Sequence, residues 1–94
     1  MEKIILKLYV TGQTTLSTQA SHCLRELCDK ELSNNYELMV VDVLEQPQLA
    51  KDHKIWATPT LIREKPWPIL RIVGDFSDRD KVLSLIKRNS SLAS

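Results

Sequence analysis

The side chains of this chain that could do chemistry are few: the thiols of Cys23 and Cys28, the imidazoles of His22 and His53, the phenol of Tyr9, the hydroxyl of Ser77, and the Thr58-Pro59 pair. Dithiol exchange needs Cys-x-x-Cys at the first turn of a helix, where the dipole lowers the thiol pKa. Cys23 and Cys28 stand five positions apart inside a helical stretch. Along a helix that separation rises roughly 7.5 Å. A disulfide needs its Cα atoms within roughly 7 Å, so the pair cannot close without unwinding. Cys23 falls mid-stripe and reads as a small core residue, with Cys28 near the stripe edge. The two histidines are far apart, and no Cys/His spacing resembles a zinc site. Gly12 and Gly74 are the only glycines, too few for a phosphate-cradling loop.

These groups need elements to position them. Ile4 to Val10 is nearly continuously apolar and reads as a strand buried on both faces. Leu16, Ala20, Cys23, Leu24, Leu27 and Leu32 fall at helical spacing, with Thr15 or Ser17 as cap and Glu26 placed to pair with Lys30. Tyr36 to Val43 is a second strand, so a parallel βαβ unit is expected. A short helix begins around Pro47, with Leu49, Ala50 and His53 inward and Lys51, Asp52 and Lys54 outward. Thr60–Glu64 and Ile69–Val73 form a hairpin across Lys65-Pro66-Trp67-Pro68. Ser77 with Asp80 makes a capping box for a last helix whose stripe is Val82, Leu83 and Ile86. Asn89 to Ser94 reads as a frayed polar tail.

The order βαβ then αββα fits a single α/β domain of thioredoxin-like type, spanning residues 1–94. In that fold a proline opens a strand beside the first helix, and Pro59 is expected to be cis. The position facing it holds Gly12 to Ser17 and no cysteine. A thiol-ligand role similar to that of glutathione transferases would draw on Tyr9, Thr14, Pro59 and Ser77. Tyr9 as core aromatic and Ser77 as cap are the stronger readings.

The composition, 43% apolar and 27% charged with a net charge of +1, describes one folded domain. Lysines and arginines are interleaved with acids throughout, which gives no basis for nucleic-acid binding. No apolar run approaches the roughly 18 residues of a membrane helix. Two cysteines and no export signal point to the cytoplasm.

Four stretches carry a family resemblance: LKLYVTG (residues 6–12), VDVLEQPQLA (41–50), DHKIWATPTL (52–61) and RIVGDFSDRDKVL (71–83). They are similar to the KaiB pattern, approximately KLYVAG, DVLKNPQLA, DKILATPTL and RRIIGDLSNREKVL, in the same order from position 3 to 83.

The resemblance implies a non-enzymatic protein without cofactor that binds a KaiC-type ATPase of the circadian clock. A clock-type histidine kinase carries a KaiB-like sensor domain that uses a similar surface and is a possible further partner. The family switches fold in its C-terminal half, between a tetramer and a thioredoxin-like monomer that binds the ATPase, so dimers or tetramers are possible. Carried over by position, the partner surface comprises Pro47, Gln48, Leu49, Lys54 and Ala57, then Arg71, Asp75 and Arg79, with Thr58-Pro59 structural. Late in the last helix the family pattern has a small residue and an acid where this chain has Leu85 and Lys87. Replacing glycine by leucine favours helix by about 1 kcal/mol, so the thioredoxin-like state is expected. The acidic tail of clock KaiB proteins is missing, which makes a simpler timer or a stress-adaptation pathway as plausible as an oscillator. The alternatives are a thioredoxin-fold protein with a redox or thiol-ligand role, and a sensor module recruited to another partner.

Overall fold

In the computed structural model, residues 3–12, 14–33, 35–74, 76 and 78–88 are described. The elements run β1 (Ile4–Val10), α1 (Thr15–Glu31), β2 (Tyr36–Asp42), α2 (Pro47–Asp52), β3 (Thr60–Lys65), β4 (Leu70–Val73) and α3 (Arg79–Ile86). One sheet holds the strands in the order β2-β1-β3-β4. β1 pairs parallel with β2, and β3 pairs antiparallel with both β1 and β4. The apolar run of β1 therefore sits inside the sheet, as its composition requires. Its two sides feed two cores. Leu6, Leu8 and Val10 pack with Leu24, Leu27, Val82 and Ile86 under α1 and α3. Tyr9 packs with Val41 and Ile62 on the opposite face, where Val43, Leu49 and Ile55 cover them from α2 and its flanks.

α1 is turned relative to the expected stripe. Its buried residues are Ser17, Ala20, Leu24, Leu27 and Cys28, while Leu16 is 60% exposed. Ser17 can be buried because its hydroxyl is satisfied: it accepts from the Thr14 hydroxyl at 2.9 Å and donates to the Thr11 carbonyl. The cap is Thr14, not Thr15 or Ser17, with its extended backbone and its side-chain oxygen accepting from the Ser17 amide. The rotation reverses the two cysteines: Cys28 is fully buried and Cys23 only half-buried. Glu26 takes Arg79 of α3 as partner rather than Lys30, with His22 also 3.6 Å away.

β2 lies at the sheet edge, so Met39 at its centre faces solvent, 57% exposed. β4 starts at Leu70, one residue later than expected, because Ile69 lies outside its paired register. α3 is capped by Asp78, whose side chain accepts from the Lys81 amide at 3.1 Å. Ser77, the expected cap, lies outside the described residues. The frayed tail expected over 89–94 also lies outside them.

Arg63 is 2% exposed, on the helical side of β3. Its guanidinium donates to the carbonyl oxygens of Ile86 at 3.0 Å and Pro68 at 2.7 Å, and to that of Arg88. It thus serves the orphan carbonyls and the negative end of α3.

Candidate functional site

Pro47 occupies the first position of α2, where its missing N–H costs nothing. The helix is six residues long and none is fully buried; it is held by Leu49 and by its exit. Lys54 adopts φ +54°, its amide donates to the Lys51 carbonyl at 3.2 Å, and the Ile55 amide reaches back to Ala50 at 2.8 Å. This is a Schellman ending with lysine where glycine is the usual residue. Arg71 reaches across from β4 and closes the ending from outside. Its Nη1 donates to the Lys54 carbonyl at 2.8 Å and its Nη2 to the His53 carbonyl at 2.6 Å. The His53 ring lies on Tyr9, centroids 5.9 Å apart.

The chain then leaves along Ile55, which anchors inward, and Trp56, which is 87% exposed. The Ala57 carbonyl accepts from the Thr60 hydroxyl at 2.5 Å. Thr58 shares a 2.6 Å hydrogen bond with the Thr11 hydroxyl, and the Pro59 carbonyl accepts from the Gly74 amide at 3.1 Å. The Thr58–Pro59 bond is cis, as expected, and so are Lys65–Pro66 and Trp67–Pro68.

Lys54 and Arg71 therefore meet at the end of α2, whose exposed side presents Pro47 and Gln48, and Ala57 follows three residues on, also exposed. Leu49 belongs mainly to the core beneath them. Beside them lies a groove of about 310 Å³, walled by His53, Lys54, Glu64, Ile69 and Arg71. Arg79 is not part of this assembly. It starts α3 in the layer across the sheet, bonded to Glu26 and in contact with the Cys23 thiol. Asp75 lies outside the described residues.

Among the described residues the site has no catalytic arrangement. The Tyr9 hydroxyl is enclosed without a hydrogen-bond partner, and burial, then Glu64, push its pKa up. Thr14 is consumed as a helix cap. Burial pushes the Cys28 thiol up to about 11. Cys23 borders a cavity of about 110 Å³ with Pro59 and Phe76, and both cysteines are free. A larger groove of about 480 Å³ between α1 and the end of β2 mixes hydroxyls with His22, Arg25, Asp42 and Glu45. Its Asp42 carboxylate is occupied by the Gly12 and Leu44 amides. No group of three potential metal ligands occurs among the described residues, and no helix there is long and apolar enough to cross a membrane.

Sequence reasoning missed Trp56 and the Arg71 clamp. The available signal for Trp56 was its position, after helical spacing ends and before the strand alternation begins.

The KaiB domain family matches residues 7–88. A circadian clock oscillator protein KaiB from Prochlorococcus marinus is 56% identical over 79 residues, 84% of this chain and 75% of that protein. Circadian clock protein KaiB3 from Synechocystis is 46% identical over 83 residues, covering 88% and 81%. Among solved structures, the N-terminal domain of Synechococcus elongatus SasA superposes with a TM-score of 0.76 at 21% identity, covering 96% of this chain and 90% of that one. Mitochondrial thioredoxin 3 from Saccharomyces cerevisiae gives 0.72 at 18% identity, covering 93% and 79%. The fold is thioredoxin-like.

Proposed function

The chain belongs to the KaiB family, and from that premise we propose that it is a non-enzymatic, cytoplasmic clock-type protein that binds a KaiC-type ATPase. The binding surface is the exposed side of α2 with Lys54, Ala57 and Arg71. A clock-type histidine kinase with a KaiB-like sensor domain is a second partner or a competitor for the same ATPase. The monomer with β4 and α3 formed is the binding state. The pathway is a circadian oscillator, a simpler timer or a stress response.

The observation that carries this reading is the Arg71 fork on the carbonyls of His53 and Lys54. It fixes the end of α2, so Lys54 and Ala57 are offered to a partner from a set position rather than from a mobile loop. The relatives are named as clock proteins, which supports the clock role. The thiol-chemistry alternative is disfavoured by a buried Cys28 with raised pKa and by the absence of cysteine at the start of α1.

Capture of a KaiC-type ATPase by the immobilised chain, with ATP and with ADP, tests the proposal. Capture that depends on nucleotide and is weakened by Lys54→Ala is expected. No capture with either nucleotide sinks the proposal.

A further inference from the structure

Trp56 is 87% exposed, yet its backbone is held on both sides. Before it, the Ile55 amide is tied to Ala50 and the Lys54 carbonyl to Arg71. After it, the Ala57 carbonyl is tied to Thr60. A large ring presented in water from a fixed backbone has little backbone freedom left to lose on docking. Tryptophan is also among the residues most enriched where binding energy concentrates. The other tryptophan, Trp67, is 71% exposed but sits in the β3–β4 turn, at the far end of the strands.

Lys54, two residues before Trp56, is the charged residue nearest to it in the chain. The Asp52 carboxylate is engaged by the Gln48 side-chain amide at 2.8 Å. The Lys54 ammonium forms no ion pair among the described residues. Trp56 thus follows an exposed lysine by two residues and precedes the small, exposed Ala57.

We infer that Trp56 is the anchor of the partner surface, and that it seats in an apolar cleft of the partner whose rim carries a carboxylate opposite Lys54. The inference rests on the ATPase-binding reading and deepens it by naming the chemistry of the partner's site. Fixed presentation makes the ring a key rather than an adaptable contact. The Lys54 charge selects the cleft with an acidic border and disfavours a basic one.

The test uses the full chain carrying Trp67→Phe and 5-fluorotryptophan, which leaves one fluorine signal, at residue 56. A purified KaiC-type ATPase ring with ATP is titrated in, and affinities are measured for Trp56→Ala, Lys54→Gln and Lys54→Glu. The expected result is a shifted and broadened fluorine signal on binding. Trp56→Ala should bind roughly thirty-fold more weakly, the size of a hot-spot truncation, with an unchanged melting temperature because the side chain is exposed. Lys54→Glu should weaken binding more than Lys54→Gln. If the parent chain binds while the fluorine signal stays put, or Trp56→Ala binds as tightly, the inference is overturned and the ATPase reading survives. A signal that moves with chain concentration in the absence of the ATPase places a second copy on Trp56 and also overturns it. If the parent chain does not bind the ring at all, the underlying reading fails and this inference with it.

Discussion

Arg71 holds the carbonyl oxygen of Lys54 at 2.8 Å, and its second guanidinium nitrogen takes that of His53 at 2.6 Å. One side chain from an edge strand thus caps the helix on which the proposed partner surface rests. Lysine has no fork to span two carbonyls, so Arg71→Lys should behave nearly like Arg71→Ala. Each loses about 1 kcal/mol of stability, since the bonds are exposed to water. The local effect is larger than the global one. Amide exchange at Ile55 should accelerate well beyond the average, and unchanged exchange there would remove the clamp from the account.

Lys54 separates stability from binding. Its φ of +54° costs a residue with a Cβ about 1 kcal/mol or more. Lys54→Gly relieves that and should raise the denaturation free energy by about 0.5–1 kcal/mol, while ATPase capture falls. Lys54→Ala keeps the strain and loses the charge, so capture falls with no gain in stability. A glycine variant that is less stable than its parent would show that the lysine side chain itself supports the turn.

Glu26 sets a pH dependence. The hydrogen bond and charge of Arg79 hold its carboxyl below the ordinary value of 4.5. Its stabilisation is therefore complete above that value and is lost as pH falls through the lowered one. Melting temperatures between about pH 6 and pH 3 should show Glu26→Gln below the parent at the upper end, with the two converging in acid. Parallel curves would mean that the pair, half-exposed to solvent, contributes nothing.

The cysteines should react unequally. The Cys28 thiol, buried and pushed up to about 11, should resist alkylation at neutral pH until the chain unfolds. Cys23, half-buried, should label first. An unfolded Cys28 ionises near 9 while the folded one does not, so stability should fall as pH rises from 9 towards 11. Equal labelling of both thiols in the folded protein would contradict the burial.

Most of the element order was legible because it rests on local signals: the apolar run of β1, Pro47 at a helix start, and Pro59 at a strand start. The resemblance, rather than any local pattern, is what points to α2 as the proposed partner helix. The rotation of α1 was hidden because it depends on Ser17 finding Thr11 and Thr14, which only the fold brings near. Glu26 had a sensible partner four residues on, and the structure gave it a stronger one on α3. Arg63 sits in a strand whose neighbours are buried, but its destination lies at the end of α3, and periodicity carries no trace of that.

The Arg63 guanidinium bears on the order of assembly. α3 is eight residues long, too short to persist alone in water. The donors that serve its last carbonyls belong to β3. Until β3 is zipped onto β1, the last carbonyls of α3 lack these donors, and the turn carrying Pro68 is not gathered in either. The C-terminal segment is thus expected to dock last and to peel away first. Loosening this clasp would show in how quickly the molecule comes apart far more than in how quickly it forms.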